Sequence, residues 1–232
     1  MDNRLQRGDW APPFKTTDIQ GREVDFSSFA DWGIWLAFYR YASCPMCNQH
    51  FDDVMGRQAE LFENRVTFIS VFESEPKNFP KNILSRSFPN LTIIADPEHS
   101  LYTLYGVERS WGKLFTPQSA IERVRAGLAG YMEGKIDGPL DRIPAHFLIL
   151  PQGIIHQARY GKTAADHIKW RDLEDFYASV RGQLNQVNRV PTPTRPVAPA
   201  PPQPPSDNDK TELIRTVKLE LDSPEDLRKD EN

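Results

Sequence analysis

Three short, predominantly apolar runs constrain this chain most: the continuous Ile34–Tyr39, the β-branched and aromatic Val66–Phe72, and Leu91–Ala95. Runs of this length without polar alternation predict strands buried on both faces, which in soluble domains belong to parallel sheets covered by helices. The intervening sequence agrees. Pro45 stands at a helix-start position, where a missing N–H costs nothing. Phe51, Val54, Met55, Leu61 and Phe62 then recur at helical spacing, which predicts an amphipathic helix over about 45–63. Helical stretches are also predicted over Pro76–Ser87, His99–Tyr105 and Pro117–Ala129. Ala145–Leu150 and Ile154–Arg159 flank Pro151-Gln152-Gly153, the pattern of a hairpin with a short glycine turn. Trp170, Leu173, Phe176, Tyr177, Val180 and Leu184 mark a last helix. The order implies an α/β fold: a central mixed sheet, parallel with an antiparallel edge, with helices on both faces.

The far end of the chain is different. Eight of the 20 prolines lie between Pro191 and Pro205, no aromatic follows Tyr177, and no glycine follows Gly182. Such a segment buries too little apolar surface to offset its ordering entropy. We therefore expect a folded domain over 1–187, a proline-rich linker over 188–205, and an acidic, disordered tail over 206–232. The linker should be extended polyproline II, and its two P-x-x-P patterns suit a protein partner. The net charge of −4 is small, and the tail carries an excess of four acidic residues. This charge gives no support to nucleic acid as a partner. No apolar run approaches the roughly 20 residues of a membrane helix, and no secretory leader is visible, so a cytoplasmic protein is expected.

Both cysteines fall in one motif, Cys44-Pro45-Met46-Cys47, between the first buried strand and the first long helix. A helix N-terminus favours thiolate over thiol, and the thiolate is the reactive form. Two residues of spacing lets one sulfur reach the other, so the pair can cycle between dithiol and disulfide. Other readings of the motif are a buried core pair and, with His50, a C-x-x-C-x-x-H metal set. A structural zinc needs a fourth ligand, which no second cysteine pair supplies. Redox chemistry is the reading preferred here, with no metal and no cofactor.

Several segments resemble the peroxiredoxin-like branch of the AhpC/TSA (redoxin) superfamily. Gly8-Asp9-Trp10-Ala11-Pro12-Pro13-Phe14 resembles its G-D-x-A-P-x-F opening, followed by Gly21–Val24 and Ser27-Ser28-Phe29. Phe38-Tyr39-Arg40 leading into Cys44–Cys47 is similar to the F-Y-R-x3-C-P-x-C of a selenoprotein-L-like branch. Ile143–Ile149 and Gly161-Lys162 with Ala165-Asp166-His167 resemble later elements. The resemblance covers about residues 5–180. It implies a thioredoxin-like fold, thiol-dependent oxidoreductase activity, a thioredoxin- or glutathione-type electron donor, and a disulfide or peroxide substrate.

The departures rank those activities. Around a peroxidatic cysteine the family reads P-x-x-x-T-x-x-C. Counting back from Cys44, the Pro and Thr places hold Ala37 and Tyr41; from Cys47 they hold Arg40 and Cys44. The family arginine before the late strand is replaced by Pro144. Losing one such transition-state donor typically costs about 3–4 kcal/mol. Thiol–disulfide exchange therefore ranks above peroxide reduction, with a redox-inert interaction module on the same fold as a third possibility. In the leading reading Cys44 attacks and Cys47 resolves. Arg40 and Tyr41 line the substrate site, Arg40 standing in for the missing arginine or else forming a surface salt bridge. By analogy with thioredoxins, a cis Ile143–Pro144 bond is expected to turn the Pro144 backbone toward the sulfurs. Trp35 and Tyr39 are expected in the core, Trp111 in a pocket wall, His146 and His156 at a polar rim, and His167 at a cap or the surface.

Overall fold

The structure is a computed structural model that describes residues 4–79, 83, 91–107, 109, 136–139 and 141–187. The expected helix over Pro117–Ala129, most of 80–87, Trp111, and the linker and tail from residue 188 onward lie outside them.

The strands are β1 (Lys15–Thr17), β2 (Glu23–Asp25), β3 (Gly33–Phe38), β4 (Val66–Phe72), β5 (Leu91–Ala95), β6 (Ala145–Ile149) and β7 (Ile155–Tyr160). The helices are α1 (Pro45–Gly56), α2 (Gln58–Glu63), α3 (Ser100–Leu104) and α4 (Glu174–Val187). β1 and β2 form a small antiparallel ribbon, and the other five strands make one sheet in the order β5-β4-β3-β6-β7. β3, β4 and β5 run parallel, β6 runs antiparallel to β3, and β7 antiparallel to β6. This is the mixed sheet that the apolar runs and the hairpin predict, in the thioredoxin-like form that the family resemblance implies.

β3 is central, and the two-residue alternation of a strand sends its side chains into two cores. Trp35, Ala37 and Tyr39 join Phe51, Val54, Phe68, Phe72, Phe176 and Val180 on one face. Ile34, Leu36 and Phe38 join Ile69, Val71, Leu101, Tyr102 and Phe147 on the other. Trp35 and Tyr39 are fully buried, as expected.

One local prediction changes and another holds. The helix expected over 45–63 divides at Arg57, whose φ/ψ of −120°/22° is not helical. The break follows Gly56, the residue with most backbone entropy to lose in a helix. The 145–159 hairpin turns through Pro151–Gly153, with Gln152 and Gly153 at positive φ (73° and 99°). Among the described residues no helix is long and apolar enough to cross a membrane.

Gly33 opens β3 where α4 crosses it. A Cβ there would lie 2.7 Å from Val180 Cγ2 and 3.1 Å from Phe176 Cζ, and valine has little rotamer freedom to yield. Gly33→Ala should therefore overpack this contact and destabilise the fold by about 1–3 kcal/mol. A lower urea midpoint with an unchanged slope would show this; an unchanged midpoint would refute it.

Candidate active site

The chain leaves β3 at Phe38, turns through Tyr39–Ser43 and enters α1 at Pro45. The Cys44 N–H bonds the Tyr41 carbonyl at 3.0 Å, and the Ala42 N–H bonds Ser74 Oγ at 2.7 Å. Ser74 Oγ in turn donates to Asp137 Oδ1 at 2.6 Å. Cys44 is the N-cap of α1 and accepts the Asn48 N–H on its carbonyl at 2.9 Å. Cys47 lies in the first turn. Both thiols are free and fully buried.

Arg40 does not form a surface salt bridge. It is 1% exposed, and its Nη1 lies 3.6 Å from Cys44 Sγ. Its guanidinium also stacks over the Tyr41 ring at 5.1 Å. These contacts separate the two thiols. Burial alone would raise the Cys44 pKa, but the hydrogen bond from the Cys47 thiol and the Arg40 charge outweigh it and bring it down to about 6. Cys47 goes the other way, well above the ordinary thiol range, through burial, its hydrogen bond to Cys44 and the Cys44 negative charge. One thiolate and one thiol therefore share a helical turn.

Pro144 departs from expectation. No peptide bond among the described residues is cis. The Pro144 carbonyl accepts the Gly161 N–H at 2.9 Å, extending the β6–β7 ladder past the Ala145–Tyr160 pair. The Ile143–Pro144 bond is therefore trans, and the Pro144 carbonyl is taken up by the ladder with Gly161.

The histidines also sit where their sequence context did not place them. His146 is fully buried and His156 is 6% exposed, neither at a rim. Every residue of β6 is buried, so both of its faces are covered. His167, expected at a cap or the surface, is buried and packs with His50 and His146. His50 thus joins two distant histidines rather than a Cys44–Cys47 metal set. The cluster's hydrogen positions follow from groups with only one option. Trp35 Nε1–H can only donate, and it reaches His146 Nδ1 at 3.2 Å. His146 therefore donates from Nε2 to His167 Nδ1, at 3.0 Å. The Ile168 carbonyl can only accept, at 3.3 Å from His50 Nε2, so His50 Nδ1 accepts the Tyr39 hydroxyl at 2.7 Å. The His50 and His167 rings are stacked, 4.3 Å apart and 15° from parallel. Lone pairs in two stacked planes do not converge on one ion. As arranged, two strings of neutral groups, Trp35–His146–His167 and Tyr39–His50–Ile168, meet at the stacked His50 and His167 rings and tie α1 to the sheet.

A second buried polar group went unnoticed in the sequence. Glu73, directly after β4, and Arg142, ahead of β6, are 1% and 4% exposed. Arg142 Nε donates to Glu73 Oε1 at 2.5 Å and Nη1 to the Val107 carbonyl at 2.6 Å. His99 Nε2 lies 3.3 Å from the same carboxyl oxygen. Burial pushes the Glu73 carboxyl up to about 7, against the downward pull of Arg142. One signal was available: a charged residue directly after a seven-residue buried strand, just as Arg40 follows the first one.

The AhpC/TSA family model matches residues 7–158. Peroxiredoxin Bcp of Escherichia coli K12 is 25% identical over 111 residues, covering 48% of this chain and 69% of that protein. Among solved structures, a thiol peroxidase from Chromobacterium violaceum superposes with a TM-score of 0.55 at 14% identity, covering 79% of this chain and 91% of that one. A reduced 2-Cys peroxiredoxin from Plasmodium vivax superposes with a TM-score of 0.53 at 14% identity, covering 91% and 99%. At such identities these structural likenesses establish the fold.

The histidine trio predicts an acid limit. Burial lowers all three pKa values, that of His50 to about 4 and those of His146 and His167 well below the ordinary value. The unfolded chain therefore binds more protons as pH falls. Stability is complete above the unfolded value of about 6.5 and declines toward the folded values, by up to about 1.4 kcal/mol per pH unit per histidine. Glu73, with a raised pKa, acts in the opposite sense, one group against three. Urea unfolding at about pH 7 and about pH 5 should show a clear loss of stability in acid; equal stability would contradict the neutral trio.

Proposed function

The chain belongs to the AhpC/TSA family and is a thiol-dependent oxidoreductase, and on that premise we propose that Cys44 and Cys47 are its redox couple. Cys44 is the attacking thiolate and Cys47 the resolving thiol. The observation that carries this reading is the opposite displacement of the two thiols within one helical turn, with Arg40 Nη1 3.6 Å from Cys44 Sγ.

In exchange, Cys44 S⁻ attacks a disulfide, forms a mixed disulfide and expels one thiolate. Cys47 then loses its proton and attacks Cys44 Sγ. The second substrate thiol leaves, and the Cys44–Cys47 disulfide remains. The reactants of this family are a thiol reductant and a peroxide or disulfide oxidant; here a thioredoxin- or glutathione-type thiol would return the enzyme to the dithiol. The exposed outer end of α1 is not needed for these steps, since both sulfurs lie at its buried N-terminus.

A second reading, peroxide reduction, has its own support. Both sulfurs are fully buried, which favours a small oxidant, and the buried guanidinium beside Cys44 suits the developing charge on a peroxide oxygen. Cys44 S⁻ takes one peroxide oxygen, and the other leaves as water after protonation. Cys47 then condenses with the sulfenic acid, releasing a second water and forming the same disulfide.

Cys44→Ser should abolish both reactions. Cys47→Ser should stop after the first step, leaving a mixed disulfide or a sulfenic acid according to the oxidant; mass spectrometry distinguishes them. Full turnover by Cys44→Ser would overturn the assignment, and rapid sulfenic acid formation with negligible disulfide reaction would place peroxide first. Arg40→Gln should move the Cys44 pKa from about 6 toward the ordinary 8.5 and slow alkylation at neutral pH on the order of tenfold. An unchanged alkylation profile would remove Arg40 from the site. We further propose that 188–232 is an appendage to the redox domain, so that its deletion leaves turnover intact.

A further inference from the structure

Two guanidiniums are buried around this site, Arg40 and Arg142, 1% and 4% exposed. They face the Cys44 thiolate and the Glu73 carboxyl. Arg40 touches Cys44, and its carbonyl accepts the Glu73 backbone N–H at 3.4 Å. Arg142 holds one oxygen of Glu73, while the other, Oε2, is buried without a hydrogen-bond partner among the described residues. That oxygen faces Gly138, whose Cβ would come within 3.1 Å of it and 3.3 Å of the Tyr41 Cβ. Glu73 therefore lies against the loop that carries Arg40 into the cysteine motif.

The other charges around Glu73 are committed to partners. Arg109 pairs with Asp141 at 2.8 Å. Asp96 accepts the Ser100 and Leu101 N–H groups at the start of α3. Asp137 accepts the Ser74 hydroxyl. The pKa of His99 is lowered by burial and by Arg142, which disfavours its cationic form. The Tyr102 hydroxyl donates to the Tyr39 and Val71 carbonyls.

Oxidation removes the thiolate charge from this buried set while both guanidiniums stay. A net charge change in a low-dielectric interior is costly, and one nearby group is able to offset it. We propose that Glu73 is the charge-compensating residue of the redox couple, losing a proton when the Cys44–Cys47 disulfide forms and regaining it on reduction. The proposal rests on the dithiol/disulfide reading above. The balance closes. Cys44 S⁻, Cys47 SH and the Glu73 carboxyl together give two electrons and two protons, leaving the S–S bond and the Glu73 carboxylate. The two electrons and two protons convert a disulfide to two thiols, or hydrogen peroxide to two waters. The buried site keeps the same net charge throughout. Linkage is reciprocal: the thiolate raises the proton affinity of Glu73, and disulfide formation lowers it. The reduced-state value near neutrality places Glu73 where either protonation state is accessible.

The test is the midpoint potential of the full chain against a glutathione couple, from about pH 6 to about pH 8. In the wild type the slope should rise from that of one proton per two electrons toward that of two near neutrality. In Glu73→Gln it should stay near one at neutral pH and rise only as pH approaches the Cys44 value of about 6. Identical slopes in the two proteins would overturn the proposal. An infrared difference spectrum of the wild type keeps the test independent of whether Glu73→Gln folds. A protonated-carboxyl C=O band should be present in the reduced protein and lost on oxidation, whereas a spectrum without that change would refute the role of Glu73. Failure of the underlying reading looks different: the wild type would show no two-electron couple, or Cys47→Ser would retain it.

Discussion

The contact on which the site depends is Arg40 against Cys44 at the end of a fully buried strand. β3 is covered on both faces, so the residues that follow it emerge inside the protein. A guanidinium there needs an anion, because an unpaired buried charge is expensive. The Cys44 thiolate at 3.6 Å is such an anion. On the proposed assignment, the same contact makes the sulfur a nucleophile at neutral pH. Packing and reactivity thus share one physical cause, and the helix N-terminus adds to both.

Around this contact the fold arranges polar groups in two separate sets. On the Trp35 face, three neutral histidines belong to two hydrogen-bonded strings, Trp35–His146–His167 and Tyr39–His50–Ile168, which meet where the His50 and His167 rings stack. That set braces α1 one turn beyond Cys47. On the other side, the Glu73 carboxyl and Arg142 are hydrogen-bonded beside the Tyr41 loop. The histidine set gives the helix its position, while the Glu73–Arg142 pair lies against the loop that leads to the sulfur.

The short apolar runs were legible because burial on both faces leaves an unmistakable pattern, and β4 and β5 match their predicted bounds. The hairpin and last helix were legible from Gly153 and from the Trp170–Leu184 stripe. The histidines were misread because alternation within Ala145–Leu150 says which residues share a face, not whether that face is covered. Only the groups packed on that face, here His50 and His167 against His146, decide that. Pro144 was read through thioredoxins, and the ladder bond from Gly161 replaced the expected geometry.

The sequence by itself determined the redox motif, its place between a buried strand and a helix, and the family. Those depend on neighbours in the chain: a C-x-x-C, a Pro at a helix start, an apolar run before them. Tertiary structure decided which thiol carries the charge, that Arg40 is buried against it, and that Glu73, Arg142, His146 and His167 belong to the site's surroundings. These depend on partners up to about a hundred residues away. Charge, burial and proton affinity are set by three-dimensional neighbours, and no spacing rule along the chain encodes them.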